Sequence, residues 1–234
     1  MNDITLTGTG ADNKEFQIAV EADEAGMVSL ENVSHKKLAE DALKMLPETK
    51  SILVLAMEIF PEVLTQTRPE RTTGQVSMND MYTTHLAYIN GRLTKAVYDI
   101  ARACRSHGMK ALPMHAIGCP TDIRFLQAAL SYKSAAAAAE LGYIGRNGLL
   151  LTHDFGPRVR LSCCLTEAQF KPVEKKAVTN MCTNCNICIK GCPAGALKMP
   201  EDGESYSINR FACSSFRYAA GGCAECMRLC PAAQ

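Results

Sequence analysis

The chain has no excess of either charge: lysine and arginine number 25 and aspartate and glutamate 24 in 234 residues, for a formal net charge of +1. That balance gives no electrostatic reason for nucleic acid or an anionic membrane to be the main partner. No apolar run approaches the roughly 18 residues that cross a bilayer. The start, "MNDITLTGTG", has no charged n-region, no apolar h-region and no twin arginine. The expectation is therefore a cytoplasmic protein with no membrane or nucleic-acid partner. Its "GTG" opens no helix after a strand, so it carries no phosphate role. A Ser/His/Asp arrangement and a paired-carboxylate site are missing too. His85, His107, His115 and His153 form no spaced ligand pair and read as ordinary surface or core side chains.

Cysteine is what the sequence has in quantity. There are 12, eight of them between residues 182 and 230. Disulfides would suit a small secreted chain, but here length, start and clustering favour metal ligation. Cys104, Cys119, Cys163 and Cys164 are scattered and read as small buried hydrophobes.

Upstream of the cysteines the patterning is that of one mixed α/β domain. "ITLTGTGADNKEFQIAVEAD" alternates apolar and polar residues on both sides of a turn, which predicts a hairpin. Ser34 is a candidate N-cap for a short helix with Leu38, Ala42, Leu43 and Leu46 on one side and Pro47 beyond it. "SILVLAMEI" predicts a buried strand. Residues 60–79 are polar, broken by proline and glycine, and long for a connection, which predicts either disorder or a loop over a site. Leu86, Ile89, Leu93, Val97, Ile100 and Cys104 predict a long helix ended by Gly108. "KALPMHAI" predicts a strand, and a helix is expected from about Thr121 to Glu140, where "SAAAAAEL" allows close approach by a neighbour. A glycine-punctuated turn and apolar strands follow. A charged linker, "AQFKPVEKKAVTNM", leads into a segment with few core residues, where bound metal must supply much of the folding free energy.

Cys182, Cys185, Cys188 and Cys192, followed by Pro193, match the bacterial ferredoxin run, in which three close thiolates serve one cube and the fourth a second. Cys223, Cys226 and Cys230 repeat the spacing before Pro231, and Cys213 stands upstream of them. Swapped ligation places one 4Fe–4S cluster on Cys182, Cys185, Cys188 and Cys230. The second then falls on Cys192, Cys213, Cys223 and Cys226. Zinc would need two tetrahedral sites and usually shows paired knuckles with a longer spacer. Tyr206, Phe211, Phe216 and Tyr218 are expected to shield the second cluster from solvent. Fusing an electron relay to a larger domain implies a redox cofactor bound in that domain.

"SYKSAAAAAELGYIGRNGLLLTHDFGPRVRLSCCLTE", with the two cysteine sets after it, resembles the corrinoid-dependent iron–sulfur reductase superfamily that contains epoxyqueuosine reductases and reductive dehalogenases. The wording of "LGYIGRNGLLLTHDFGPRVRL" is closer to the dehalogenase side. The resemblance implies an α+β protein: a nitroreductase-like cobalamin-binding α/β domain over residues 1–172, then a two-cluster bacterial ferredoxin-like domain over 173–234. It implies two 4Fe–4S clusters and cobalamin as cofactors. Gly142, Tyr143, Gly145, Arg146, Asn147, Gly148 and Leu149 would lie against the corrinoid, since glycines permit close backbone approach. Epoxyqueuosine reductases are similar in placing an aspartate proton donor where this chain has Leu126. Asp122 is near by, and Tyr132, by likeness to the tyrosine donor of dehalogenases, is the candidate catalytic residue. The helical-repeat domain and the long insertions known from those relatives are not seen.

Two functions remain open at this point. One is an oxygen-sensitive oxidoreductase in which the clusters feed cobalamin for reductive cleavage, by dehalogenation or epoxide reduction, of a small substrate. The other is an electron-transfer protein that reduces or activates a partner corrinoid protein without substrate chemistry of its own. A flavin in the same cleft is a third variant. A low-potential donor of ferredoxin or flavodoxin type is expected in each case.

Overall fold

The computed structural model describes residues 2–31, 35–67, 79–174, 176–182 and 185–233. Ser34, the candidate N-cap, and most of the 60–79 connection lie outside the described residues. The chain forms two compact units that are interleaved along the sequence. One comprises Met1–Met57, Ile89–Leu141 and Arg160–Lys176; the other comprises Glu58–Tyr88, Gly142–Val159 and Ala177–Gln234.

The first unit begins with the expected hairpin. β1 (Asn2–Thr9) pairs antiparallel with β2 (Glu15–Ala22), from Asn2 opposite Ala22 to Thr9 opposite Glu15. In the turn, Asn13 takes φ of 60°, which asparagine tolerates. β3 (Glu24–Ser29) and α1 (Lys36–Met45) follow, and α1 buries Leu38 and Ala42. β4 (Ser51–Glu58) is buried at seven of its eight positions, the mark of a strand covered on both faces. Beyond α2 (Pro61–Gln66), α3 (Asn79–Ser106) runs the length that its apolar spacing predicts. Leu93, Val97, Ile100 and Cys104 on α3 are fully buried. Gly108, at φ 75°, ends it.

β5 (Ala111–Met114) and β10 (Val159–Thr166) complete a four-stranded sheet in the order β3-β4-β10-β5; β11 (Gln169–Phe170) joins β1 and β2 in a three-stranded one. Between β5 and β10 lie five more elements: β6 (Thr121–Asp122), β7 (Gln127–Ala128), α4 (Tyr132–Ala138) and the pair β8 (Gly142–Ile144) and β9 (Leu150–Thr152). The helix expected from Thr121 is corrected here. Residues 121–128 form a small hairpin turned by Leu126 at φ 49°, and the helix starts only where Ser131 accepts a cap bond from the Ser134 amide. The alanines of α4 do admit a close neighbour: a Cβ on Gly26 of β3 would come within 2.9 Å of the Ala139 Cβ.

The second unit contains α2, the β8–β9 hairpin and the cysteine segment. The last is built from short elements: α5 (Ile187–Lys190), β12 (Leu197–Lys198), β13 (Ser207–Ile208), α6 (Arg210–Ala219), α7 (Glu225–Arg228) and a final turn, Pro231–Ala233. Its apolar core is small, with Leu151, Cys230 and Ala233 packed by Tyr143, Cys182 and Ala232. Pro61 at the first turn of α2 is the helix-start signal in a stretch otherwise read as loop.

Candidate metal centre

The thiols of the eight clustered cysteines act on one another. Burial pushes the Cys230 thiol up to about 11, and the thiols of Cys182, Cys188 and Cys185 push it in the same direction. Cys188, raised first by burial, is raised further by Cys182 and Cys185. Cys182, Cys185 and Cys188 thus lie near enough to Cys230 to act on its charge, although Cys230 stands 42 positions after Cys188 in the sequence. Burial likewise pushes Cys226 up to about 12, with Cys223, Cys213, Cys188 and Cys192 adding to the shift. Burial raises Cys223 and Cys213 as well, and each is raised in addition by Cys192. Cys192 thus stands with the second group. Cys188, which also acts on Cys226, marks where the two groups approach.

Thiols crowded this way repel once ionised, so proton release needs a cation, which iron supplies. Among the described residues no three His, Cys, Asp or Glu side chains converge as ligands of a single ion. A cube makes a different demand, because each thiolate takes one corner iron and the sulfurs surround the cluster. Two sets of four thiols fit that demand.

The glycine-punctuated hairpin reaches into both sets. β8 and β9 pair from Gly142 opposite Thr152 to Ile144 opposite Leu150. The intervening loop is closed by Gly145 N–H to the Leu149 carbonyl at 2.9 Å and Gly148 N–H to the Gly145 carbonyl at 2.8 Å. Arg146 donates from Nη1 to the Cys185 carbonyl at 3.1 Å and to Asn186 Oδ1. Asn147, only 4% exposed, donates from Nδ2 to the Cys226 carbonyl at 3.2 Å and accepts from the Leu149 amide at 3.1 Å. The Tyr143 hydroxyl accepts from the Met181 amide at 2.9 Å, one residue before Cys182. A Cβ on Gly145 would stand 3.2 Å from Cys182 Sγ, and one on Gly148 would meet the Tyr206 ring at 2.9 Å. The close approach that these two glycines permit is to protein. Gly145, Asn147 and Gly148 are buried, whereas Gly142, Tyr143, Arg146 and Leu149 keep some surface.

Arg158 gave no signal in the sequence beyond its place in the quoted stretch. Its guanidinium, 7% exposed, donates to the Ala233 carbonyl at 2.7 Å, to the Ile59 carbonyl at 3.0 Å and to Glu58. It thereby ties down the turn that follows Cys230. Gly156, at φ 53°, lies so close to the Ala232 carbonyl that a Cβ would collide with it. A cavity of about 350 Å³ opens beside this turn, lined among others by Tyr143, His153, Met181 and Ala232.

The expected aromatic shield is corrected in part. On α6, which carries Cys213, Phe211 is 55% and Tyr218 92% exposed, so these two rings face solvent. Phe216 and Tyr206 are half-buried, and the Tyr206 ring lies against Gly148.

Tyr132 is half-buried in the first unit, and its hydroxyl donates to the His115 carbonyl at 3.1 Å. Burial raises its pKa, with the Cys163 and Cys119 thiols adding to the rise, so it holds its proton firmly. Asp122 is half-buried and bound by Arg124 at 2.7 Å, which holds its carboxyl below the usual range as an ionised acceptor. Of the histidines, His107 stacks on Phe16 with ring centres 4.3 Å apart, His153 contacts Asp154 at 2.7 Å, and His85 accepts from the Phe60 amide at 3.2 Å.

The chain is thus a mixed α/β protein with eight cysteines clustered between residues 182 and 230. No family model matches the chain. By sequence it is 30% identical over 200 residues to the tetrachloroethene reductive dehalogenase of Dehalobacter restrictus, a match that takes in 77% of this chain and 32% of that protein. It is 37% identical over 68 residues to the epoxyqueuosine reductase of Listeria monocytogenes, covering 29% of this chain and 17% of the relative. A catabolic reductive dehalogenase structure superposes with a TM-score of 0.62 at 17% identity, over 91% of this chain and 30% of that one. An epoxyqueuosine reductase structure gives 0.53 at 18% identity, over 90% and 61%; it was solved with a tRNA stem loop, a ligand of that protein. The chain is a homologue of reductive dehalogenases and epoxyqueuosine reductases. It spans about a third of the length of the dehalogenases that it matches. Among the described residues no helix is long and apolar enough to cross a membrane.

Proposed function

We propose that the chain is a reductase in which two 4Fe–4S clusters deliver electrons to a corrinoid for reductive cleavage of a small substrate. The observation that carries this reading is the grouping of Cys230 with Cys182, Cys185 and Cys188, and of Cys192 with Cys213, Cys223 and Cys226. Swapped ligation is the arrangement of a two-cluster relay, whose cubes each pass one electron at a time. A bound corrinoid would supply a cobalt centre able to accept those electrons and act on the substrate.

The chain's own residues divide the remaining tasks. Gly142, Tyr143, Arg146 and Leu149 are the members of the glycine turn with surface left for a cofactor. Tyr132 is the proton donor by likeness to dehalogenases; burial raises its pKa, so the phenol is protonated at neutral pH but is a weak acid until a substrate or cofactor changes its surroundings. A nitroreductase-like fold upstream and a ferredoxin-like fold around the cysteines accord with this division, as does a cytoplasmic, anaerobic setting with a ferredoxin or flavodoxin donor.

A specific observation favours the second reading, electron transfer to a partner corrinoid protein. The buried part of the glycine turn, Gly145, Asn147 and Gly148, is engaged with protein and offers no cradle. One experiment separates the two. After anaerobic expression with hydroxocobalamin, about eight irons per chain, two cubes' worth, with stoichiometric cobalt support the reductase. The same iron without corrinoid uptake eliminates it in favour of the relay, and zinc or half the iron overturns the ligation itself.

A further inference from the structure

Arg146 and Asn147 are adjacent residues on one short loop, and they hold different things. Arg146 grips the backbone of Cys185 and the side chain of Asn186. Asn147 grips the backbone of Cys226. Cys185 belongs to one four-thiol set and Cys226 to the other. The loop between these grips is fixed by its own bonds from Gly145 to Leu149, from Gly148 to Gly145 and from Leu149 to Asn147 Oδ1. Two ligand-bearing segments, from residues 185 and 226 of the chain, are therefore indexed to one rigid point.

We propose that this loop is the gauge of the relay: Arg146 and Asn147 are positioning residues that fix the two clusters relative to each other, and the Arg146 guanidinium raises the reduction potential of the cluster on Cys182, Cys185, Cys188 and Cys230. The proposal rests on the reading that the cysteines hold clusters. Reduction adds one electron, hence one negative charge, to a cube, and a cation bonded to the carbonyl of one of its ligands favours that added charge. Charge and hydrogen bonding are established determinants of cluster potential. Asn147 holds its segment without a charge. The two residues thereby set the clusters apart in potential, with the Arg146 side the easier to reduce.

The test is a redox titration followed by electron paramagnetic resonance on the anaerobically reconstituted full chain, with iron counted in each sample. Arg146→Gln should retain iron and lower one of the two potentials by on the order of tenfold in the reduction equilibrium, about 59 mV for one electron, leaving the other in place. Arg146→Lys, which keeps the cation, should restore it. Asn147→Asp, which keeps the acceptor for Leu149 and adds a negative charge, should lower the other potential. Unchanged potentials in Arg146→Gln, or an equal fall of both, overturn the proposal. Should the glutamine variant lose iron, the lysine variant decides, since a tenfold fall there excludes the role of the charge. Failure of the wild-type chain to take up iron refutes the cluster reading instead, and is told apart by the iron count alone.

Discussion

Replacing Arg158 by methionine keeps the length and apolar stem of the side chain and removes the guanidinium. The carbonyls of Ala233 and Ile59 then lose donors at 2.7 and 3.0 Å, and Glu58 loses its ionic partner. A hydrogen bond from a charged donor contributes about 1.5–3 kcal/mol, and breaking a buried ion pair costs about 3–5 kcal/mol. The Glu58 side chain is 24% exposed and recovers some hydration, so the lower figure, about 3 kcal/mol, applies. Only the bond to Ala233, three residues beyond Cys230, holds the turn, and it contributes about 1.5–3 kcal/mol. If a chelator reaches iron only through local opening of this turn, release speeds up by about 10- to 100-fold, at about 1.4 kcal/mol per tenfold. The assay is iron release to an excess of a coloured chelator under anaerobic conditions. Biphasic loss is expected, with the Cys230 cluster going first. Arg158→Lys, a cation without the planar fork, should fall in between. Release within about threefold of wild type, or uniform loss of both clusters, would refute the assignment of Arg158 as the anchor of that ligand.

Other outcomes follow from the same geometry. Gly156→Ala puts a Cβ into the Ala232 carbonyl at a residue with φ of 53°, and should destabilise the C-terminal turn by about 2–4 kcal/mol; wild-type iron content after reconstitution and unchanged thermal stability would contradict this. Burial lowers the pKa of His85 from its ordinary 6.5, and Glu58 opposes the shift only in part. The unfolded chain therefore binds more protons than the folded one just below pH 6.5, and the His85 contribution, present above that pH, is lost as pH falls through the folded value. Exchange of the Phe60 amide, corrected for intrinsic rate, should accelerate between pH 7.5 and pH 5.5, and a constant corrected rate would count against it. Tyr132→Phe should slow substrate turnover by about 100-fold or more if the phenol is the acid, with iron and cobalt contents unchanged; undiminished turnover removes Tyr132 from the chemistry.

The clustering of the eight cysteines was legible in the sequence because ligand spacing is a local property, carried by C-x2-C runs that end before proline. The first hairpin, the buried β4 and the long α3 were legible from periodicity alone. Residues 121–128 were not. The alanine-rich run after Ser134 suggested a helix reaching back to Thr121, yet Ile123 and Phe125 are exposed, and the turn is made by Leu126 in a left-handed conformation that no glycine or asparagine announces. The uses of Arg146, Asn147 and Arg158 were out of reach for another reason. Their partners lie 39, 79 and 75 residues away, and nothing local distinguishes an arginine that will meet a distant carbonyl from one that meets water.

The interleaving of the two units bears on how such a protein can be taken apart. A cut near residue 172 gathers every cluster cysteine on one fragment, but it leaves Gly142–Val159 on the other, although that segment belongs to the same compact unit. The fragment would keep all eight thiols and lose the loop and the arginine that hold three of their segments. The cysteine segment is thus not a detachable cassette. A graft or a minimal version has to carry the β8–β9 hairpin with it, and recombination between relatives is constrained to breakpoints that keep residues 142–159 and 177–234 of common descent.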